Sequence, residues 1–177
     1  MERTIEAATT VRATLPRVRD VLVTDPGSVL LETCTEDQRR SRTFPVDLVV
    51  EIGGGASIHQ QVSVRLGVAK AADQGVELPV RWTSTGRQQL YPMFDGRLEA
   101  IATRGGTELR LTGTYEVPLG AFGRFGDGVA GHRLARRSAQ VLLTEIGLRL
   151  VREVSRRLDA RPWHMTPSHG NALPAQM

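Results

Sequence analysis

One cysteine, one lysine and no long apolar run set the first limits on this chain. Cys34 stands alone, so no intramolecular disulfide forms, which fits a reducing compartment. The four histidines, His59, His132, His164 and His169, are scattered. A zinc site wants several converging Cys or His ligands, so neither metal nor cofactor is expected. No stretch approaches the ~20 apolar residues of a membrane span, and MERTIEAATT holds no apolar signal region. The expected location is the cytoplasm. Lys70 is the only lysine among 23 basic residues. This arginine bias, with plentiful Ala, Gly and Val, matches a GC-rich genome. The net charge of +4 therefore argues little for nucleic acid, and no such partner is expected.

What the chain does have is alternation. Between Gln60 and Tyr115 four strands each offer one apolar face: Val62, Val64, Leu66, Val68; Val76, Leu78, Val80, Trp82; Phe94, Gly96, Leu98, Ala100; and Leu109, Leu111, Gly113, Tyr115. A period of two buries one face of a sheet and wets the other. Two further strands precede them. Residues 3–13 alternate around Ile5, Ala7, Thr9 and Val11, and Phe44, Val46, Leu48, Val50 and Ile52 line one side of the next. Short connections make the pairing antiparallel: Gly53-Gly54-Gly55, Asp73-Gln74-Gly75 and Arg104-Gly105-Gly106 read as turns, and Thr85 to Pro92 as a longer link.

Helices flank this sheet. Thr14 to Pro16 starts one carrying Val18, Val21 and Leu22, which Asp25-Pro26-Gly27 stops. A short second helix is expected around Ser28 to Leu31, and the polar residues 34–43 read as a loop. The last helix carries an apolar stripe of Ala135, Ala139, Leu142, Leu143, Ile146, Leu150 and Val154. Glu145 to Arg149 and Glu153 to Arg157 have the favourable i, i+4 orientation. Beyond Arg161, Pro162, Pro167 and Pro174 interrupt an aperiodic run. Residues 1–160 are read as one domain, large enough to build a core without staples, and 161–177 as a disordered tail.

The order strand, two short helices, curved antiparallel sheet, long C-terminal helix resembles the helix-grip fold of the START-like superfamily (also called SRPBCC), which includes birch-type pollen allergens, polyketide cyclases and lipid-carrying START domains. The stretch TIEAATTVRATLPRVRDVLVTDP is similar to the strand-into-helix opening of a bacterial branch. Trp82, Pro92-Met93-Phe94-Asp95-Gly96, Leu109 to Tyr115 and Pro118-Leu119-Gly120 resemble a pattern of its small members. The resemblance spans about residues 1–158 and implies an α+β fold of six to seven strands wrapped around the last helix. It implies a pocket for an apolar molecule, but a fold does not name a reaction.

The candidate pocket residues are Trp82, Phe94, Leu98, Leu111 and Tyr115 from the sheet and Leu142 and Ile146 from the helix. A cavity of roughly 300–1,000 Å³ is expected between them, with Gly96 and Gly113 leaving room. Acid–base catalysis needs a titratable group within reach of substrate. None lies on the inward faces, where Thr9 and Tyr115 are the polar members, so no catalytic residue is assigned. A slip of one residue would instead turn Arg81, Arg97 or Glu99 inward. Gly120 to Gly128 matches neither the dinucleotide nor the Walker spacing and reads as a hinge, with Phe122 and Phe125 beside it. Cys34 reads as an incidental thiol rather than a nucleophile. The arginines Arg133, Arg136, Arg137 and Arg149, Arg152, Arg156 would suit an anionic partner or a transient membrane-surface contact, although interleaved Glu145 and Glu153 favour a solvated face. The expected function is binding or carriage of a lipid, polyketide or isoprenoid. An aromatase/cyclase-type enzyme is the first alternative, and an interaction module using the arginine face the second.

Overall fold

Alternation becomes a single antiparallel sheet. The computed structural model describes residues 2–53, 56–72, 74–85, 93–116 and 128–160. Its strands are β1 (Glu2–Val11), β2 (Thr43–Gly53), β3 (Ala56–Leu66), β4 (Lys70–Ala72), β5 (Gly75–Ser84), β6 (Met93–Thr103) and β7 (Gly106–Glu116). They run in the order β1-β7-β6-β5-β3-β2, with β4 paired to the first residues of β5. The expected tail 161–177 lies outside the described residues, as do the expected hinge Gly120 to Gly128 except Gly128, the expected link Thr85 to Pro92 except Thr85, and Gly54, Gly55 and Asp73.

Three helical segments follow the sequence pattern at one end and depart from it in the middle. Helix α1 (Leu15–Thr24) starts at Thr14 with proline in its first turn and buries Val18, Val21 and Leu22. A 3-10 turn over Pro26–Val29 follows. The segment expected as a loop holds α2 (Glu36–Ser41). Thr35 caps it by accepting the Gln38 N–H at 3.2 Å, and the Gln38 side chain accepts the Thr35 N–H at 2.8 Å. Because α2 buries none of its residues, it writes no apolar period into the sequence.

Arg42 ends α2 in the left-handed conformation, φ 54°, and its guanidinium then reaches the end of β3. Its Nε donates to the Leu66 carbonyl at 3.0 Å, and Nη2 donates to the Gly67 carbonyl. The Gly67 N–H donates in turn to the Pro79 carbonyl at 2.8 Å. The chain thus bends between β3 and β4 opposite a proline that has no N–H to give the ladder. Val68, expected as the last inward residue of its strand, falls in this bend and is 65% exposed.

Helix α3 (Gly128–Asp159) is 32 residues long, about 48 Å at 1.5 Å per residue. Its whole predicted stripe is buried. It touches both edges of the sheet. Arg137 Nη1 donates to the Glu51 carbonyl of β2 at 2.6 Å, and Gln140 Nε2 to the Ala8 carbonyl of β1 at 3.4 Å. Laid flat, the six strands of the main path would hold those edges about 24 Å apart, about twice the ~10–12 Å width of a helix. The sheet therefore curls around α3.

Candidate binding site between sheet and helix

The seven candidate residues belong to one continuous core, each at most 1% exposed. Strand register sorts the sheet residues into tiers. Trp82 of β5 pairs with Phe94 of β6, which pairs with Tyr115 of β7, so three aromatics form one row across three strands. The next inward tier but one holds Leu78, Leu98 and Leu111, again in direct register. From α3, Leu142 and Ile146 lie one turn apart on the buried stripe.

Within the aromatic row, Trp82 and Phe94 stack with centroids 4.0 Å apart and planes 12° from parallel. Phe94 also explains the glycines. Gly96 and Gly113 are cross-strand partners, and a Cβ on either would lie 2.6 Å from Phe94 Cζ. The room expected from these glycines is thus occupied by the Phe94 ring, folded over two bare backbones.

Tyr115 carries the polar contact of this end of the core. Its hydroxyl lies 3.0 Å from His132 Nδ1 near the start of α3, with ring centroids 5.9 Å apart. Which atom donates depends on the imidazole tautomer. In the sequence His132 reads only as a residue near the helix start. Residues 117–127 separate the two partners, so no periodicity links them. Thr107 is a second inward polar residue that the alternation does not single out; it is fully buried and donates to the Ala13 carbonyl at 2.7 Å.

The charged residues in question face outward. Arg81 pairs with Asp95, and Arg97 lies 3.6 Å from Glu77 and 3.4 Å from Glu99. The strands therefore hold the register read from the alternation. Glu153, at 8% exposure, is the carboxylate buried on α3, at the end far from the aromatic row. It takes bonds from Arg156 at 2.8 Å and Arg157 at 2.7 Å, which hold its pKa below the ordinary glutamate value against the opposing effect of burial. The predicted Glu153–Arg157 pair forms, whereas among the described residues Glu145 and Arg149 form no ion pair. Cys34 is buried, and desolvation followed by Asp25 pushes its thiol pKa up. It stays protonated at neutral pH, which makes it a poor nucleophile.

No family model matches the sequence, and no curated protein matches it. Solved structures do. The di-domain ARO/CYC StfQ of the steffimycin biosynthetic pathway aligns over 90% of this chain at 14% identity, with a TM-score of 0.52. The chain has the helix-grip fold. It spans about half of StfQ, since the alignment covers 52% of that chain. TTHA0849 from Thermus thermophilus matches over 85% of this helix-grip chain and 99% of its own, at 17% identity and TM-score 0.49. Zhui aromatase/cyclase from Streptomyces sp. R1128 matches over 90% and 98%, at 19% identity and TM-score 0.45. Among the described residues, no helix is long and apolar enough to cross a membrane.

Proposed function

We propose that this helix-grip domain binds a small apolar molecule between sheet and α3, of the lipid, polyketide or isoprenoid class, without transforming it. The observation that carries the reading is chemical. The inward sheet faces and helix stripe are apolar but for Thr107, whose hydroxyl is bonded to the Ala13 carbonyl, and the Tyr115–His132 pair sits beside an aromatic row at one end. Such a surface gains about 25 cal/mol for each Å² of apolar ligand removed from water, and one polar pair suffices to orient a hydroxyl or carbonyl. Trp82, Phe94 and Tyr115 would contact the oriented end, with Leu98, Leu111, Leu142 and Ile146 along the chain of the ligand. The seven candidate side chains are at most 1% exposed, so a ligand among them would have to part sheet and helix.

The same pair favours a second reading, a cyclase-type enzyme that folds a polyketide-like chain largely by shape. A phenol and an imidazole in contact can pass a proton, and one protein of this fold, StfQ, is named an ARO/CYC.

Native mass spectrometry of protein purified from a lipid-containing host, followed by organic extraction, tests the first reading. A stoichiometric apolar adduct is the expected result. An empty protein that also leaves a lipophilic fluorescent probe unbound would overturn it. Turnover of a polyketide-like substrate that Tyr115→Phe abolishes, with binding retained, would move the assignment to the enzyme.

A further inference from the structure

At the end of α3 remote from the aromatic row, a cleft of about 420 Å³ opens between that helix and residues 25–39. Arg149, Arg152 and Arg156 reach it from α3 at i, i+3 and i+7, one helical face, and Arg39 reaches it from the last turn of α2. Four cations thus share the cleft with three carboxylates, Asp25, Glu32 and Glu153. The balance of bonds is less even than the balance of charge. Glu153 is committed to Arg156 through two bonds of 2.8 Å and to Arg157 through one of 2.7 Å. Asp25 comes only within 3.8 Å of Arg39, and Glu32 only within 4.0 Å of Arg152, on side chains more than half exposed at both arginines. Those separations exceed hydrogen-bond length, and such exposed pairs add little. Arg149 makes no ion pair with the described residues.

We propose that this cleft is a binding site for a phosphate-type dianion, either a free phosphate or a phosphate monoester headgroup. Arg39, Arg149 and Arg152 line it without a bidentate partner, and the planar guanidinium fork matches two oxygens of a phosphate. Three forks on two walls suit a group with three terminal oxygens better than a carboxylate, which has two. Cys34 lies in the same wall but remains a neutral thiol, so it adds no competing anion. The site stands toward the opposite end of α3 from the aromatic row and does not rest on the reading given for the apolar core.

The test is a titration of the full chain with inorganic phosphate and pyrophosphate at constant ionic strength. It is read from arginine Nε–H signals in nitrogen-15 spectra. Saturable shifts at Arg39, Arg149 and Arg152, with sodium chloride leaving them in place, are expected. Loss of charge-assisted bonds in Arg149→Gln/Arg152→Gln should weaken binding about tenfold or more. Arg39→Gln, on the other wall, should do the same independently. Arg133→Gln/Arg136→Gln on the same helix should bind as the parent does. Flotation with phosphatidylcholine vesicles, with and without phosphatidic acid, separates the sources. Binding only to the acidic vesicles assigns the site to a lipid headgroup, and saturable binding of the soluble anions assigns it to a free phosphate. The proposal falls if neither phosphate nor acidic vesicles bind, if chloride produces the same shifts, or if the control pair loses as much affinity as the cleft variants.

Discussion

Gly96 and Gly113 illustrate how a position without a side chain can be determined by its neighbours. A Cβ added at Gly96 would lie 2.6 Å from the Gly113 Cα and closer still to the Thr112 carbonyl oxygen, and a Cβ at Gly113 would lie 2.6 Å from the Gly96 Cα. These obstacles are backbone, which cannot rotate away. Overpacking costs about 1–3 kcal/mol where side chains give way. Gly96→Ala and Gly113→Ala should therefore each lose at least about 2–3 kcal/mol in urea unfolding; a loss under about 1 kcal/mol would show that the paired strands relax there. Tyr115→Phe at the same end is a milder change. It removes one hydroxyl from a part-buried bond and leaves the ring, so about 1 kcal/mol is expected. An unchanged midpoint would mean that water serves His132 equally well.

At the scale of elements, the C-terminal turns of α3 are tied to α1 by a small polar cluster. Arg157 donates to Glu153 at 2.7 Å and to both Asp20 and Thr24 of α1 at 2.8 Å. Glu153 is the buried member, and its pKa is depressed chiefly by the hydrogen bonds from Arg156, then from Arg157. A carboxylate with a lowered folded-state pKa stabilises the fold fully above its unfolded pKa and loses that contribution as pH falls through the folded one. Acidification from neutral pH to below the ordinary glutamate range should thus erode stability, and Glu153→Gln should remove that part of the slope. At neutral pH the substitution should cost about 1–3 kcal/mol, with the gap to the parent closing in acid. A gap independent of pH, followed by urea midpoints across the acid range, would mean that the carboxylate charge is not what couples these helices. This cluster also marks how far the sequence can be read. The stripes of α1 and α3 and the inward sets of β5, β6 and β7 carry the periods of their elements, and burial follows them. Helix α2 buries nothing, so only its cap, Thr35 with Gln38, identifies it. Val68 fits the alternation but falls in the bend that Arg42 and Pro79 set, a long-range contact with no local signature. Trp82, Phe94 and Tyr115 are legible as inward residues; the partnership of Tyr115 with His132 is not, since its geometry depends on how α3 is laid across the sheet.

For the molecule as a whole, the curl of the sheet decides where a ligand would have to go. At the end carrying the aromatic row, β2, β5 and β7 finish and β3, β6 and α3 begin. There the buried Tyr115 hydroxyl meets His132, which is only half-buried. Nearby, the Phe94 ring covers Gly96 and Gly113. Phe94→Leu keeps the position apolar while withdrawing the ring from both glycines. It should destabilise the empty protein by about 1–3 kcal/mol, less than full truncation to alanine. A ligand that fills the vacated space binds the folded state alone and restores stability as its concentration rises, by about 2.7 kcal/mol at a hundred times its Kd. The measurement is the melting temperature of parent and Phe94→Leu with increasing lipophilic ligand, alongside Trp82 emission in a Trp163→Phe background, which leaves Trp82 as the sole tryptophan. Recovery that saturates together with a change in Trp82 emission places the ligand against the row. Destabilisation that no ligand reverses, with Trp82 emission unchanged, would make these aromatics core packing and shift the search for a ligand to the arginine cleft at the other end of α3.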